Sequence, residues 1–464
     1  MKKLFIISRT PLTLLNLGCV ALLYCRNLIQ HVASVFTNSN RQCSKKIIIT
    51  LSVFFITLQL HAQTVRLNDI LDTIQTLNPT LKMYDAEIRS MDEQAKGAKA
   101  WMSPQLSTGF FMTPYNPSMW SKSKSSDGET QPGMGQYSIA GEQMIPNKSR
   151  LNAEYKYMST MSTVEKEKKG ASLNELYADA KRNYYEWLII KKKLSILDDN
   201  EKLLNFMISN AEIRYKNGLE KISAYYKAKA ALGSLESMHL MLQNEIKQKR
   251  IVLNTLMNLP DKNEEYDIDT IFSVKDYAAY IFDSSLFINS RSDIKAIEKD
   301  INLTYLKQDL ERTKLKPEFG IRYEHMFGFG GAPNLYTVMG MLRIPLARWS
   351  AKMYKANIEG LKWQAVSLNA QKQMLINEYS GMATGMKTEI DVKKKQVSLY
   401  ENNIIPALRR NYQTMQLGYE QNTEELFMLY DAWETLNMTQ LEYLDQLQQL
   451  LVMQTELERV LQIK

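Results

Sequence analysis

Two stretches of this chain run for about 70 residues almost without the residues that break helices. From Asn147 to about Tyr215 there is no proline and only Gly170, and from Leu346 to about Gly418 the only proline is Pro406. At about 1.5 Å of rise per residue, each would extend on the order of 100 Å, far more than a globular domain needs. Shorter helices are predicted around 79–102, 222–259, 286–316 and 424–462. In each half the two short helices together nearly match the long one, so they would stack end to end beside it. Leu232, Leu235, His239, Leu242, Ile246, Lys249, Leu253 and Leu256 alternate by three and four, as do Trp433, Leu436, Gln440, Tyr443, Leu447, Leu450, Gln454, Leu457 and Leu461. This is coiled-coil spacing diluted with polar residues, and an ordinary bundle core would share it.

Between these helices lie four windows of about 10 residues, the length of one tilted transmembrane strand. They are Gln105 to Thr113, Gln136 to Ile145, Glu318 to Phe327 and Leu335 to Ile344, and Pro104, Pro146, Pro317 and Pro345 bracket them. In the third, Phe319, Ile321, Tyr323, His325 and Phe327 alternate with Glu318, Gly320, Arg322, Glu324 and Met326. In the fourth, Tyr336, Val338, Gly340, Leu342 and Ile344 make the apolar face. No apolar run of 18 residues follows the leader, so a membrane-embedded mature chain would have to enter as strands. Four strands cannot close a barrel, and open edges are not tolerated in lipid, so several copies would share one.

The net charge of +8 suggests nucleic acid until its location is considered. Residues 1–62 carry Lys2, Lys3, Arg9, Arg26, Arg41, Lys45 and Lys46 and no acid, leaving about +1 for the rest. No nucleic-acid partner is expected. Lys45-Lys46, the apolar run behind them and His61-Ala62-Gln63 read as an export signal cleaved after Ala62, and residues 1–44, whose own apolar run of about 15 residues is short for a bilayer, read as a start-site artefact, with an inner-membrane anchor as the alternative. Cys19, Cys25 and Cys43 all fall in this leader, so the mature chain is expected to have neither disulfide nor thiol catalyst.

The halves share one layout: helix, strand, loop, strand, long helix, tight turn, short helix. Tyr215-Lys-Asn-Gly218 answers to Tyr419-Glu-Gln-Asn422, and glycine or asparagine there would cap a helix in the left-handed conformation. The expected divisions are 63–259 for the first repeat, 260–285 for an equatorial linker and 286–464 for the second repeat.

These residues resemble the TolC outer-membrane efflux family. The carriers are Asn78-Pro79 opening a helix that ends in WMSPQLSTGFF, the YKNGLEKISAYYKAKAAL turn, Ser292-Asp293-Ile294, and YEQNTEELFMLYDAWETL, which together span about residues 64–463. The resemblance implies a mainly α fold with a small β portion: long coiled-coil-like helices forming an α-barrel, and four strands per chain joining a trimeric 12-stranded barrel. It implies a homotrimer in outer-membrane lipid that meets a periplasmic membrane-fusion adaptor and a proton-driven inner-membrane pump. By position it also implies that Asp431 lines the pore constriction, with Met428 and Glu424 standing where relatives carry an acid and an arginine. Tyr215, Gly218, Tyr419 and Asn422 would mark the tips that meet the adaptor. A periplasmic structural or adaptor coiled-coil protein, with the windows forming a soluble β-domain, is the alternative.

No enzyme and no cofactor is expected, because His239 and His325 are the only histidines left after the leader and no catalytic cluster or phosphate loop appears. The loop Asn116 to Gly135 reads as extracellular, with Tyr115 and Trp120 as interfacial aromatics. The 25 methionines, among them Met102, Met112, Met134 and Met144 near the first strand pair, raise soft-metal contact, although methionine is also a common core filler. Metal ions are a cargo class that the second tip's likeness to heavy-metal efflux relatives implies.

Overall fold

The computed structural model describes residues 64–219, 221–277, 280–345 and 348–463. The expected export signal, the three cysteines and the expected start-site artefact fall outside the described residues. The first half holds α1 (Leu67–Leu77), α2 (Pro79–Lys96), β1 (Gln105–Phe111), β2 (Gln136–Ile145), α3 (Lys148–Lys216) and α4 (Ile222–Leu256). The second holds α5 (Ser284–Ser290), α6 (Ser292–Thr313), β3 (Glu318–Gly328), β4 (Leu335–Arg343), α7 (Arg348–Leu399), α8 (Ile405–Glu420) and α9 (Leu426–Leu461).

The helix starts follow from local chemistry. Asn78 and Asn147 each accept from the backbone N–H two residues on, at 2.9 and 2.8 Å, and so satisfy donors that the first helical turn leaves orphaned. Pro79 occupies the first turn of α2, where a missing N–H costs nothing. The 69 residues of α3 run unbroken for about 100 Å. The second long segment differs from expectation in one place, for it is interrupted. Pro406 lacks the N–H that Asn402 O would accept, and the chain absorbs the defect by widening into a π turn over Tyr400–Ile404, with Ile405 N–H bonded to Tyr400 O.

In each half the short helices stack end to end against the long ones. Asn78 Nδ2 donates to Leu256 O at 2.8 Å, so the start of α2 caps the end of α4. Arg291 donates to Val460 O at 2.6 Å, and Ser292 N–H to Gln462 Oε1 at 2.6 Å, so the start of α6 caps the end of α9. The helices α2, α4, α6 and α9 pack on α3, and α6 and α9 also pack on α7. The predicted seams are where the core lies: Leu235, Leu242 and Leu253 on α4, and Trp433, Leu436, Leu447, Leu450, Gln454, Leu457 and Leu461 on α9, are buried.

Residues between α4 and α5 strap these joints together. Tyr184 donates to Asp269 O at 2.8 Å, Gln454 to Lys275 O at 3.0 Å and Lys387 to Tyr280 O at 3.1 Å, tying one loop to α3, α9 and α7. Under it, the buried Glu458 receives Lys181 and Lys275, each at 2.5 Å, and the Tyr277 hydroxyl at 3.1 Å. Arg291, 3% exposed, grips Asp293 through two nitrogens at 2.9 and 2.7 Å and lies 3.3 Å from the Tyr379 ring centroid, while Tyr379 also donates to Asp293. Burial alone would raise both carboxyls, but the bonds to Glu458 from Lys181 and Lys275, and to Asp293 from Arg291 and Tyr379, hold both below the usual range.

A carboxyl depressed in the folded state stabilises above its unfolded value, and that contribution disappears as pH falls through the folded one. Urea titrations of the folded protein should therefore show stability flat near neutrality and falling below about pH 4. Glu458→Gln, which strands Lys181 without its anion, should cost about 3 kcal/mol at pH 7 and flatten part of that acid limb. An unchanged pH profile in the variant would remove Glu458 from this account.

Candidate functional site: a sheet turned inside out and two hairpin tips

The four strands form a single antiparallel sheet in the order β1-β2-β3-β4, with β1 and β4 as its margins. The register sorts the side chains onto two faces. One face carries Leu106 and Phe110 on β1, Tyr137 and Ile139 on β2, the five alternating residues Phe319 to Phe327 on β3, and Tyr336, Val338 and Leu342 on β4. The other carries Gln105, Ser107, Ser138, Ala140, Glu142, Arg322, Glu324 and Thr337.

Exposure runs opposite to that of a water-soluble sheet. Phe110, Phe319, Tyr336 and Val338 are 64%, 59%, 72% and 63% exposed, whereas Ser138, Ala140 and Glu324 on the polar face are 9%, 2% and 8% exposed. A soluble sheet buries its apolar face, so this one is built for apolar surroundings outside and polar ones inside. Among the described residues no helix is long and apolar enough to cross a membrane.

At one end of the sheet the loop after β1 docks on the turn after β3. Trp120 stacks on Phe329, with centroids 5.3 Å apart, and on Phe110 at 5.8 Å, while Gly133 N–H donates to Gly330 O at 3.1 Å. A side chain at Gly133 would collide with the Trp120 carbonyl, 2.1 Å away. Trp120 is thus held within the chain, whereas Tyr115 is fully exposed. The four methionines singled out in the sequence do not gather. Met112 and Met134 lie near this loop end, and Met102 and Met144 at the other end, where Gln143 donates to Met102 O.

Far along the helices, both hairpins turn by the same motif. In the first, Gly218 at φ +71° donates to Tyr215 O at 2.9 Å, and Leu219 N–H to Arg214 O at 2.9 Å. In the second, Asn422 at φ +60° donates to Tyr419 O at 3.2 Å, and Thr423 N–H to Gly418 O at 2.9 Å. These paired bonds satisfy the last carbonyls of α3 and α8 and set the reversal that lets α4 and α9 run back.

The tip residues predicted from sequence are not equivalent in space. Tyr215 is 46% exposed, but Tyr419, expected at the surface, is 3% exposed because Arg214 lies 4.4 Å from its ring centroid and donates to its carbonyl at 3.0 Å. Tyr419 is therefore a packing residue of the tip. Met428 and Asp431 are both exposed, one turn apart on the same face of α9, and Glu424 is half-buried before its start, with its side chain against Gly418. The opposite face of α9 buries Leu426, Leu429, Tyr430 and Trp433 against α3. There Asn200, itself buried, accepts from Trp433 Nε1 at 2.7 Å and donates to Asn437 at 2.9 Å. Burial pushes the Tyr412 phenol in this core up to about 12, so it stays neutral.

Sequence reasoning missed Lys227. It stands nine residues after Gly218, as Asp431 does after Asn422, and its ammonium lies 4.1 and 4.2 Å from the Phe427 and Tyr430 ring centroids. Laying one turn on the other would have exposed the pair. Because nothing lies within 4 Å of a Cβ built on Gly218, Gly218→Ala should cost about 1 kcal/mol from backbone conformation alone. Asn422→Gly should be neutral or slightly stabilising in the same thermal melts, and a marked loss there would contradict the turn assignment.

Residues 70–259 match the family model described as outer membrane efflux protein. No curated protein matches the chain in sequence. Among solved structures, CusC, described for changes accompanying folding and transmembrane channel formation, aligns with TM-score 0.67 at 15% identity, covering 85% of this chain and 91% of its own. The outer membrane protein VceC of Vibrio cholerae aligns at 0.65 and 15%, covering 85% and 95%, and the open MtrE outer membrane channel of Neisseria gonorrhoeae at 0.64 and 14%, covering 86% and 89%. Residues 70–259 thus carry the match to the outer membrane efflux protein model, and the chain as a whole shares the fold of these solved outer-membrane channels.

Proposed function

We propose that this chain is one subunit of a homotrimeric outer-membrane duct, a passive conduit in a tripartite efflux system. The inside-out sheet carries this reading. Three copies of a four-stranded sheet would close a 12-stranded barrel with the apolar face in lipid and the polar face lining water. The lateral margins of the helical wall point the same way, since Trp349, Met353 and Trp363 on α7 and Leu240 and Met241 on α4 are apolar and exposed. Sister copies would cover them and continue the duct as an α-barrel. A soluble β-domain, as the periplasmic alternative requires, would leave the apolar sheet face in water.

In this reading 63–259 and 286–464 are two copies of one hairpin-and-strand unit, with 260–285 as the strap between them. The exposed tip residues, Tyr215 and the turns at Gly218 and Asn422, meet a periplasmic membrane-fusion adaptor, and a proton-driven inner-membrane pump selects what enters. Asp431, with Met428 and Glu424 beside it, faces the constriction, and three carboxylates in a ring would draw cations.

The protein should fractionate with the outer membrane and run as a trimer that dissociates on heating; recovery as a water-soluble monomer would exclude the duct. In planar bilayers Asp431→Ala should lower the preference for cations over anions several-fold without changing assembly. Unaltered selectivity would take Asp431 out of the constriction.

A further inference from the structure

The strands carry methionine on one face only. The lipid-type face is built from Phe, Tyr, Ile, Leu and Val and holds no methionine, although methionine would cost nothing there. All four strand methionines, Met144, Met326, Met339 and Met341, lie on the polar face, among Ser, Gln, Glu, Arg and Thr, with Phe111 and Leu335 at its loop end. Two of them converge. Met144 and Met341 flank Gly320 in one rung of the sheet, and both lean into the space that glycine leaves. A Cβ at Gly320 would lie 2.5 Å from Met144 Sδ and 2.9 Å from the terminal methyl of Met341. Met339 is the next residue of β4 on that face and is 39% exposed.

A water-facing wall gains nothing from an apolar thioether as a hydrophobe, because its exposed surface costs free energy there. What methionine offers that leucine lacks is a polarisable sulfur, a neutral ligand that favours soft monovalent cations such as Cu(I) or Ag(I) over hard ones. The geometry points to a soft-metal site on the polar face, in which Met144 and Met341 close on one cation over Gly320 and Met339 stands ready as a third ligand. Glycine at 320 is what lets the two side chains meet. The acids on this face, Glu142, Glu318 and Glu324, are not ligands of the site, and Glu318 and Glu324 are already paired with Arg150 and Arg322. The site itself lies within one chain; its access from the channel rests on the duct reading given above.

The full chain, purified in detergent in nitrate buffer, should bind Ag+ by calorimetric titration. The variant Met144→Leu/Met341→Leu, which keeps volume and apolarity but removes both sulfurs, should lose one Ag+ equivalent per chain or bind it at least tenfold more weakly. Gly320→Ala, with both sulfurs intact, should weaken the same site by pushing the side chains apart. Circular dichroism and melting of the variants should match the parent. Equal Ag+ stoichiometry and affinity in parent and double variant would overturn the site. Planar-bilayer recordings separate this from the duct reading: micromolar Ag+ should reduce current through the parent and not through the double variant. A site present in the titration with current indifferent to Ag+ would keep the site and sink its placement in the water path.

Discussion

The backbone of β1 and β4 sets the terms for the rest of this molecule. Each is hydrogen-bonded on one side only, and among the described residues no further strand covers the other. An unpaired row of N–H and C=O groups is tolerable in water but costs several kcal/mol per group in hydrocarbon. The face that meets the surroundings on this sheet is apolar, so water is the wrong solvent for the side chains just as hydrocarbon is the wrong solvent for the edges. In the proposed duct both demands are met together, because the sheet continues into further copies of itself. The helices answer to the same need, since they extend the wall and carry exposed apolar side chains along its lateral margins.

Joints between helices are fixed by polar groups as well as by the apolar core around them. Where α2 meets α4 and α6 meets α9, a side chain at one helix start satisfies carbonyls at the other helix end. The strap over 260–285 adds Glu458 with its two lysines, and Arg291 clamped between Asp293 and Tyr379. Directional bonds of this sort fix the angle at which stacked helices meet, which apolar contacts alone would leave loose. The tips use the same device, with Asn200 bonded to Trp433 and Asn437 inside an otherwise apolar cluster.

The alternation of Phe319 to Phe327 with Glu318 to Met326, and the prolines at 104, 146, 317 and 345, carried the strands almost to the residue, because a period of two and a missing N–H are local facts. The turns were legible for the same reason: Gly218 and Asn422 declare a left-handed backbone. What escaped were contacts between segments far apart in sequence. Nothing near Tyr419 announces that Arg214, some 200 residues earlier, would cover it, nor that Lys227 would settle on Phe427 and Tyr430. The methionines are visible as a count, but only strand register distributes them to faces, and it sets Met144 and Met341 on either side of Gly320 instead of grouping Met144 with its neighbours in sequence. Pro406 was seen, and its remedy was not, since an extra residue in one turn leaves no mark in composition.

That remedy makes the two hairpins mechanically unequal. The first leans on α3, a rod whose every turn repeats the last, and a load at its tip is carried up the whole length. The second leans on a rod with one wide coil at Tyr400–Ile404 and an absent donor just beyond it. Deformation concentrates where a beam is softest. A given sideways force on both tips would displace the second further, so this joint makes it the more compliant of two otherwise matched arms.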